Sequence, residues 1–380
     1  MLRIESLTLR EIQLQLKEPF QISSGTVTHR RIFLIQLRSA DGVEAWGECV
    51  AGEQPNYGPE TIDLAWVAIR EYVAPRVLGR DFAGPEEIHP ALEENFRGSN
   101  MAKAAVEMAA WDLAARQEGV SLARKLGGVR DHIEVGISLG IQESPGALVA
   151  KARAALERGY KKVKIKIKPG RDLDYLRAAR EGLGPDAPLM ADANNAYTLD
   201  DVASLEAMDG LGLMMIEQPL AWDDVLRHAE LQRRLRTPIC LDESITSVDR
   251  AQDMIDMKSG RIVNIKPGRV GGFLASKAIH DLCAAHGIPV WCGGMLESGV
   301  GRAHNVALAS LPNFTLPGDV SPSERYWEKD VVVPAWTMDR QGRIAVPVDR
   351  PGIGVEVDLN RVDDLTVRRE ELGPPPTGRA

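Results

Sequence analysis

Asp192, Glu217 and Asp242 follow one another at 25-residue steps (217 − 192 and 242 − 217), with lysines to either side at Lys164, Lys166 and Lys266. Three carboxylates brought to one place repel one another unless a cation sits between them. An all-oxygen donor set suits Mg²⁺ or Mn²⁺ better than zinc, which favours His and Cys. A divalent ion held there would act as a Lewis acid on a substrate carboxylate and stabilise the enediolate left by removal of an α-proton. That chemistry needs a base. Lys166 and Lys266 could flank a substrate on opposite faces, provided their basicity is lowered from the ordinary lysine pKa of about 10.4. Lys164, two residues from Lys166, and Arg269, three after Lys266, together with the metal, are expected to disfavour added positive charge.

Each of these residues has a plainer account. A lone Asp after a strand often caps the next helix, although three at equal spacing beside strand-end lysines favour a shared site. Lys266 alone could be a solvated strand-end lysine, and Lys164 with Lys166 could be salt-bridged in a barrel interior. A Schiff-base lysine is the rival chemistry, but it gives the carboxylates nothing to do.

The elements that must position these groups are legible. Short apolar runs precede each one: Pro188–Ala191, Leu213–Ile216, Ile239–Leu241 and Ile262–Ile265. Runs of this kind, 20 to 30 residues apart with helical sequence between them, read as buried parallel strands in βα repeats. Closed into a barrel, their C-terminal ends converge on one mouth. Lys162, Lys164, Lys166 and Lys168 alternate with Val163, Ile165 and Ile167, so this strand turns its lysines to one face.

Eight barrel strands are expected, the first at Glu134–Ser138, the seventh at Pro289–Cys292 and the eighth at Phe314–Leu316. Before them, Leu7–Leu14, Arg31–Leu37 and Glu44–Cys49 read as strands, with a hairpin turn at Ala40-Asp41-Gly42 and a helix over Met101–Gln117. We therefore divide the chain into an α+β module over 1–125, a barrel over 126–321 and a segment over 322–380 returning to the first module. Asp330–Val333 and Gly342–Val346 are the strands expected to make that return, and Gly373–Gly378 reads as a frayed tail.

A chain of 380 residues, 44% hydrophobic and 26% charged, fits a globular enzyme of two domains. No apolar run approaches the ~20 residues of a membrane helix, and no basic-then-apolar signal segment follows Met1, which suggests a cytoplasmic protein. With 46 basic against 54 acidic residues there is no footprint for nucleic acid and no polybasic patch for a membrane. Cys49, Cys240, Cys283 and Cys292 lie far apart without CxxC spacing, so reduced thiols are expected rather than a zinc site.

The run Lys164-x-Lys166, with Asp192-Ala193-Asn194, Glu217-Gln218-Pro219, Asp242-Glu243-Ser244 and Lys266-Pro267-Gly268-Arg269, resembles the muconate-lactonizing subgroup of the enolase superfamily. Gly293–Arg302, Leu316–Asp319 and Arg325-Tyr326-Trp327 narrow the resemblance to the o-succinylbenzoate synthase / N-succinylamino acid racemase family. The resemblance implies an α/β fold, a (β/α)7β modified TIM barrel under an α+β capping domain. It implies Mg²⁺, replaceable by Mn²⁺, at Asp192, Glu217 and Asp242, with Lys166 and Lys266 as acid and base and Lys164 beside them. It further implies a pocket lined by Phe20, Tyr57, Ser138, Asn194, Gly294, Met295 and Leu296, supported by Glu243 and Arg269. Tyr57 and Ser138 could equally be packing or turn residues.

The reaction so implied is dehydration to o-succinylbenzoate in menaquinone biosynthesis, racemisation of N-succinyl amino acids, or both, on a small carboxylate and in a symmetric homo-oligomer. A muconate-type cycloisomerase or a dipeptide epimerase is the alternative within the superfamily, and a silent ligand-binding protein the alternative outside catalysis. Two departures bear on this. The capping loop reads Ser23-Ser24-Gly25 where an aromatic often stands in the middle, and the eighth strand carries Asp319 alone without the Asp-x-Asp of dipeptide epimerases. No His-Asp pair marks strands six and seven, which speaks against mandelate-racemase-like chemistry.

Overall fold

The structure is a computed structural model that describes residues 1–23 and 25–375. Ser24 of the capping loop and residues 376–380 of the expected tail lie outside the described residues. The N-terminal part is an antiparallel sheet in the order Thr366–Leu372, Leu2–Ile22, Gly25–Ser39, Glu44–Cys49, with Asp81–Phe82 pairing the start of Leu2–Ile22. Period-2 alternation gives this sheet two apolar faces. Leu7, Leu9, Phe33, Ile35 and Leu37 pack with the helical segment that follows, whereas Ile12, Leu14, Ile32 and Leu34 join the core of the barrel.

Helix Asn100–Gln117 joins the two halves, which is why 15 of its 18 residues are buried. Ala104, Met108 and Trp111 pack into the barrel's core while Ala105, Val106 and Ala109 pack under the sheet. Its two buried acids are both satisfied. Glu107 accepts from the backbone N–H of Phe273 (2.7 Å) and Leu274 (3.0 Å), capping helix Phe273–Ala285, and from Trp111 Nε1 (2.8 Å). Asp112 accepts from the backbone N–H of Trp46 (2.9 Å) and Ile353 (2.8 Å).

The remainder is a parallel, curled sheet of seven strands: Ile137–Leu139, Val163–Lys166, Leu189–Asp192, Ile216–Glu217, Ile239–Leu241, Ile262–Ile265 and Val290–Cys292, adjacent in that order. The expected eighth strand closes it as bridges rather than as a ladder. Phe314 pairs Val290 and Gly318 pairs Val135, and Asp319 N–H donates to Cys292 O at 2.9 Å. The prolines and glycine around Leu316 leave too few aligned donors there for a longer strand. Met190, Met215, Cys240, Ile262 and Trp291 plug the floor of the barrel, and the charged residues stand above them.

Two details differ from the reading of the sequence. The lysine strand ends at Lys166. Lys162, Lys164 and Lys166 are buried, whereas Lys168 is half-buried past the strand in a bridge with Arg171. The return to the first sheet is made not by Asp330–Val333 or Gly342–Val346 but by Thr366–Leu372, which pairs Leu7–Ile12. Val332–Val333 pairs Glu356–Val357, and Arg343–Ala345 pairs His132–Glu134 near the barrel's entry. Short apolar runs of equal strand propensity do not carry their partners' addresses. Of the expected tail, Pro374 lies against Gly79. All four cysteines are free and buried.

Candidate active site

Strand register sets the site. Lys166 stands opposite Asp192, and Asp192 opposite Glu217, on successive strands. Glu217 pairs Cys240, which puts Asp242 two residues further along the next strand's end. Lys266 follows strand six directly. All three acids are buried, as are Lys164, Lys166 and Lys266.

Each acid is engaged by cations of the protein itself. Lys164 Nζ lies 3.2 Å from Asp192 Oδ2, 3.1 Å from Glu217 Oε2 and 2.5 Å from Asp319 Oδ2. Lys166 Nζ donates to Asp192 Oδ2 at 2.5 Å and to Asn194 Oδ1 at 2.6 Å. Lys266 Nζ donates to Asp242 Oδ2 at 2.7 Å, and Arg269 and Tyr57 Oη both donate to Asp242 Oδ1, the hydroxyl at 2.9 Å. Glu243 accepts from the side-chain amides of Asn194 (3.2 Å) and Asn195 (3.3 Å).

The expectation that neighbouring cations lower the basicity of Lys166 and Lys266 is not met at Lys266, and Lys164 beside them is itself held charged. Burial acts in that direction, but Asp319, Glu217 and Asp192 outweigh it at Lys164 and hold it well above its ordinary value. Asp242 does the same at Lys266. Carboxylates, rather than cations, are the nearest charges to these ammonium groups.

With their oxygens turned to lysines, the acids do not form a ready-made ligand cluster. Among the described residues, no three His, Cys, Asp or Glu side chains stand close enough together to hold a metal ion. Glu217 nevertheless tests whether they suit one. Burial, with Asp192 and Asp242 alongside, pushes its carboxyl up to about 8, although it accepts from Asn264 Nδ2 at 2.7 Å. Glu217, a buried oxygen donor whose neighbours do not hold it ionised, beside Asp192 and Asp242, fits a hard divalent cation.

Above the lysines, a cavity of about 370 Å³ opens between the first hairpin and the barrel mouth. Phe20, Tyr57, Lys166, Asn194, Lys266 and the Gly294-Met295-Leu296 segment all line it. A deeper recess of about 60 Å³ shares Phe20, Lys166, Lys266, Gly294 and Leu296, and adds Ser138 and Lys164. Arg269 and Glu243 line neither; they border a separate cavity behind Tyr57. Leu296 and Asn194 have φ of 57° and 42°, left-handed backbone that places strain at the rim of the chamber. Ser23 Oγ donates to Asn194 O at 3.1 Å, so the capping loop touches the barrel beside Lys166.

Three residues gain a role in the site only from the structure. Asn264 shares the inward face of strand six with Lys266, two residues on, and period 2 could have found it. Gln218 ties strand four to strand five: Oε1 accepts from the N–H of Asp242 (3.0 Å), and Nε2 donates to Ser244 Oγ (2.6 Å). Asp319, the lone acid of strand eight, faces Lys162 and Lys164.

Sequence comparison bears on what this site belongs to. Residues 4–127 match the N-terminal domain of the mandelate racemase / muconate lactonizing enzyme family, and residues 147–362 match the enolase C-terminal domain-like family. The chain belongs to the enolase superfamily. Among members of this superfamily, it is 49% identical over 365 residues to an o-succinylbenzoate synthase of Geobacillus kaustophilus, covering 96% of each chain. It is also 49% identical over 366 residues to an N-succinylamino acid racemase of Thermus thermophilus, covering 96% of this chain and 98% of that one. A solved structure of an enolase-superfamily member from Listeria innocua superposes with a TM-score of 0.94 at 40% identity, covering 98% of this chain and 100% of that one. The protein is thus an enzyme of a superfamily whose members generally depend on a divalent metal. No described helix is long and apolar enough to cross a membrane.

Proposed function

We propose that this enzyme removes the proton α to a carboxylate and makes o-succinylbenzoate by dehydration, racemises N-succinyl amino acids, or does both, with Mg²⁺ as its ion. The observation that carries this reading is the placement of two lysines. Lys166 and Lys266 come from strands two and six, line one chamber, and end on different acids of the trio. Asp192, Glu217 and Asp242 would hold the ion, which supplies Lewis-acid charge beside the substrate carboxylate when bound.

The chain's own residues do the rest. Lys266 is held protonated by Asp242, so its use as a base requires that Asp242 direct its charge elsewhere; Lys166 donates to Asp192 Oδ2 at 2.5 Å. In dehydration, Lys166 takes the α-proton and returns it to the leaving hydroxyl, while the Lys266 ammonium faces the enediolate oxygen. In racemisation, each lysine serves one face of the α-carbon, one removing and the other delivering the proton. Phe20 and Leu296 supply apolar walls that exclude water from the carbanionic centre. The reading includes a cytoplasmic homo-oligomer, whose assembly light scattering would measure.

Two assays test the reaction: α-hydrogen exchange of N-succinyl amino acids in D₂O, and turnover of the cyclohexadiene precursor of o-succinylbenzoate, each with Mg²⁺ and with chelator. Metal-dependent exchange or turnover supports the reading, and absence of both, exchange on the one substrate and turnover of the other, sinks it.

A further inference from the structure

A further lysine lies beneath Lys164. Lys162 is wholly buried, with its Nζ 3.5 Å from the centre of the Trp291 ring and 3.3 Å from Asp319 Oδ1. The latter contact is an ion pair without hydrogen-bond alignment, and neither atom has another polar partner. The second oxygen of Asp319 lies 2.5 Å from Lys164 Nζ, which reaches on to Glu217 and Asp192. Charge therefore runs upward from Lys162 through Asp319 and Lys164 to the acids.

The fold makes room for this arrangement. A Cβ at Gly136, just before the neighbouring first strand, would come within 2.7 Å of Lys162 Cε and 3.1 Å of the Lys162 carbonyl oxygen. An ammonium so deep is costly to bury, and only one carboxylate oxygen and the face of an indole offset that cost. An unbranched apolar side chain would cover Trp291 without it. Packing therefore explains the length of Lys162 but not its charge.

We propose that Lys162 is a positioning residue for Lys164. Held over the Trp291 ring, it occupies Oδ1 of Asp319, so that Asp319 offers Lys164 a single oxygen and the Lys164 ammonium stays raised toward the acids and the recess. Lys164 lines that recess with Lys166 and Lys266, so its charge falls where the enediolate forms; this consequence rests on the function proposed above. Without Lys162, both oxygens of Asp319 draw on Lys164 alone and hold it lower. Charge is then lost from the transition state more than from substrate binding.

The test compares wild type, Lys162→Met, Lys162→Arg, Asp319→Asn and the Lys162→Met/Asp319→Asn double variant, by steady-state kinetics with Mg²⁺ and by thermal unfolding. Lys162→Met is expected to lose about 10- to 100-fold in kcat with KM changed less than about threefold, and Lys162→Arg to recover most of the loss. The double variant is expected to be no slower than Asp319→Asn alone, because Lys162 acts through Asp319. A folded Lys162→Met enzyme with kcat within about twofold of wild type overturns the proposal, as does a double variant whose loss is the product of the single losses. If Lys162→Met does not fold, the double variant, which removes the buried pair together, decides the matter by comparison with Asp319→Asn. If wild type shows no activity on these substrates, the proposed function fails, and the position of Lys164 is then read from crystal structures of wild type and the double variant against Asp319→Asn. Lys164 Nζ placed alike in the double variant and in Asp319→Asn, and displaced in both from its wild-type place, supports the coupling; a further displacement on removing Lys162 from Asp319→Asn overturns it.

Discussion

Lys164 Nζ lies 3.1 Å from Glu217 Oε2 and 3.2 Å from Asp192 Oδ2, a single ammonium shared between two acids of the trio. The acids thus already exert the pull on a cation that a metal ion would satisfy more fully. Lysines and carboxylates in this barrel hold one another in reserve: acids keep Lys164 and Lys266 charged, and against burial the lysines and Arg269 keep Asp192 and Asp242 ionised, while Glu217 is left pushed up.

Removing either partner of that balance separates binding from chemistry. Lys166→Ala and Lys266→Ala are each expected to lower racemisation by about 10³-fold or more, while each keeps slow α-exchange of the one antipode whose proton faces the remaining lysine. NMR of N-succinyl amino acids of either configuration in D₂O measures this. Equal, undiminished exchange of both antipodes in either variant would show that these lysines are not the bases.

Divalent metal should stabilise the fold through the trio. At about 100 times its Kd, an ion that binds only the folded state adds about 2.7 kcal/mol, seen as a rise in melting temperature with Mg²⁺ relative to chelator. Asp242→Ala and Glu217→Ala are expected to abolish that rise. Its persistence in both variants would place the ion elsewhere.

The joint between the two halves depends on Glu107. Glu107→Leu strips partners from the N–H groups of Phe273 and Leu274 and from the Trp111 indole, and is expected to cost about 3 kcal/mol in urea unfolding. Glu107→Gln, which keeps an acceptor, should cost less. Equal costs would mean that the side chain's volume, not its hydrogen bonds, matters at this joint.

Asp209 provides a stability switch at acid pH, away from the site. Burial works against its charge, but N–H donors from Thr237 (2.7 Å) and Arg236 (2.9 Å) outweigh it and bring its pKa down to about 2. The folded form therefore binds the proton less readily than the unfolded chain. The stabilisation, about 2 kcal/mol, is present above pH 4 and is lost as pH falls through about 2. The gap between the unfolding free energies of wild type and Asp209→Ala should narrow by about that amount from pH 7 to pH 2.

Much of the site was legible along the chain because strand periodicity is local. The βα rhythm placed Asp192, Glu217, Asp242 and Lys266 at strand ends without reference to any partner, and alternation turned Lys162, Lys164 and Lys166 to one face. It could not show that Lys168 would fall outside the strand, since where a strand ends depends on how far its neighbours run. The returning strand was misplaced for a related reason: Val331–Val333 and Ile344–Val346 have the composition of strands, but only the packed molecule decides which edges remain open to them. Asn264, Gln218 and Asp319 matter through what they touch on other strands, and those contacts join residues 24 to 155 positions apart (242 − 218 and 319 − 164).

By itself the sequence determined the types of chemical group at the barrel mouth and their order around it, because those follow from residue identity and a repeat that needs no long-range information. Only the tertiary structure decided their state of charge. Burial raises the cost of every unpaired charge, so which ammonium faces which carboxylate, at what distance, sets whether Lys266 holds its proton and Glu217 loses one, and that pairing exists only once the strands have closed.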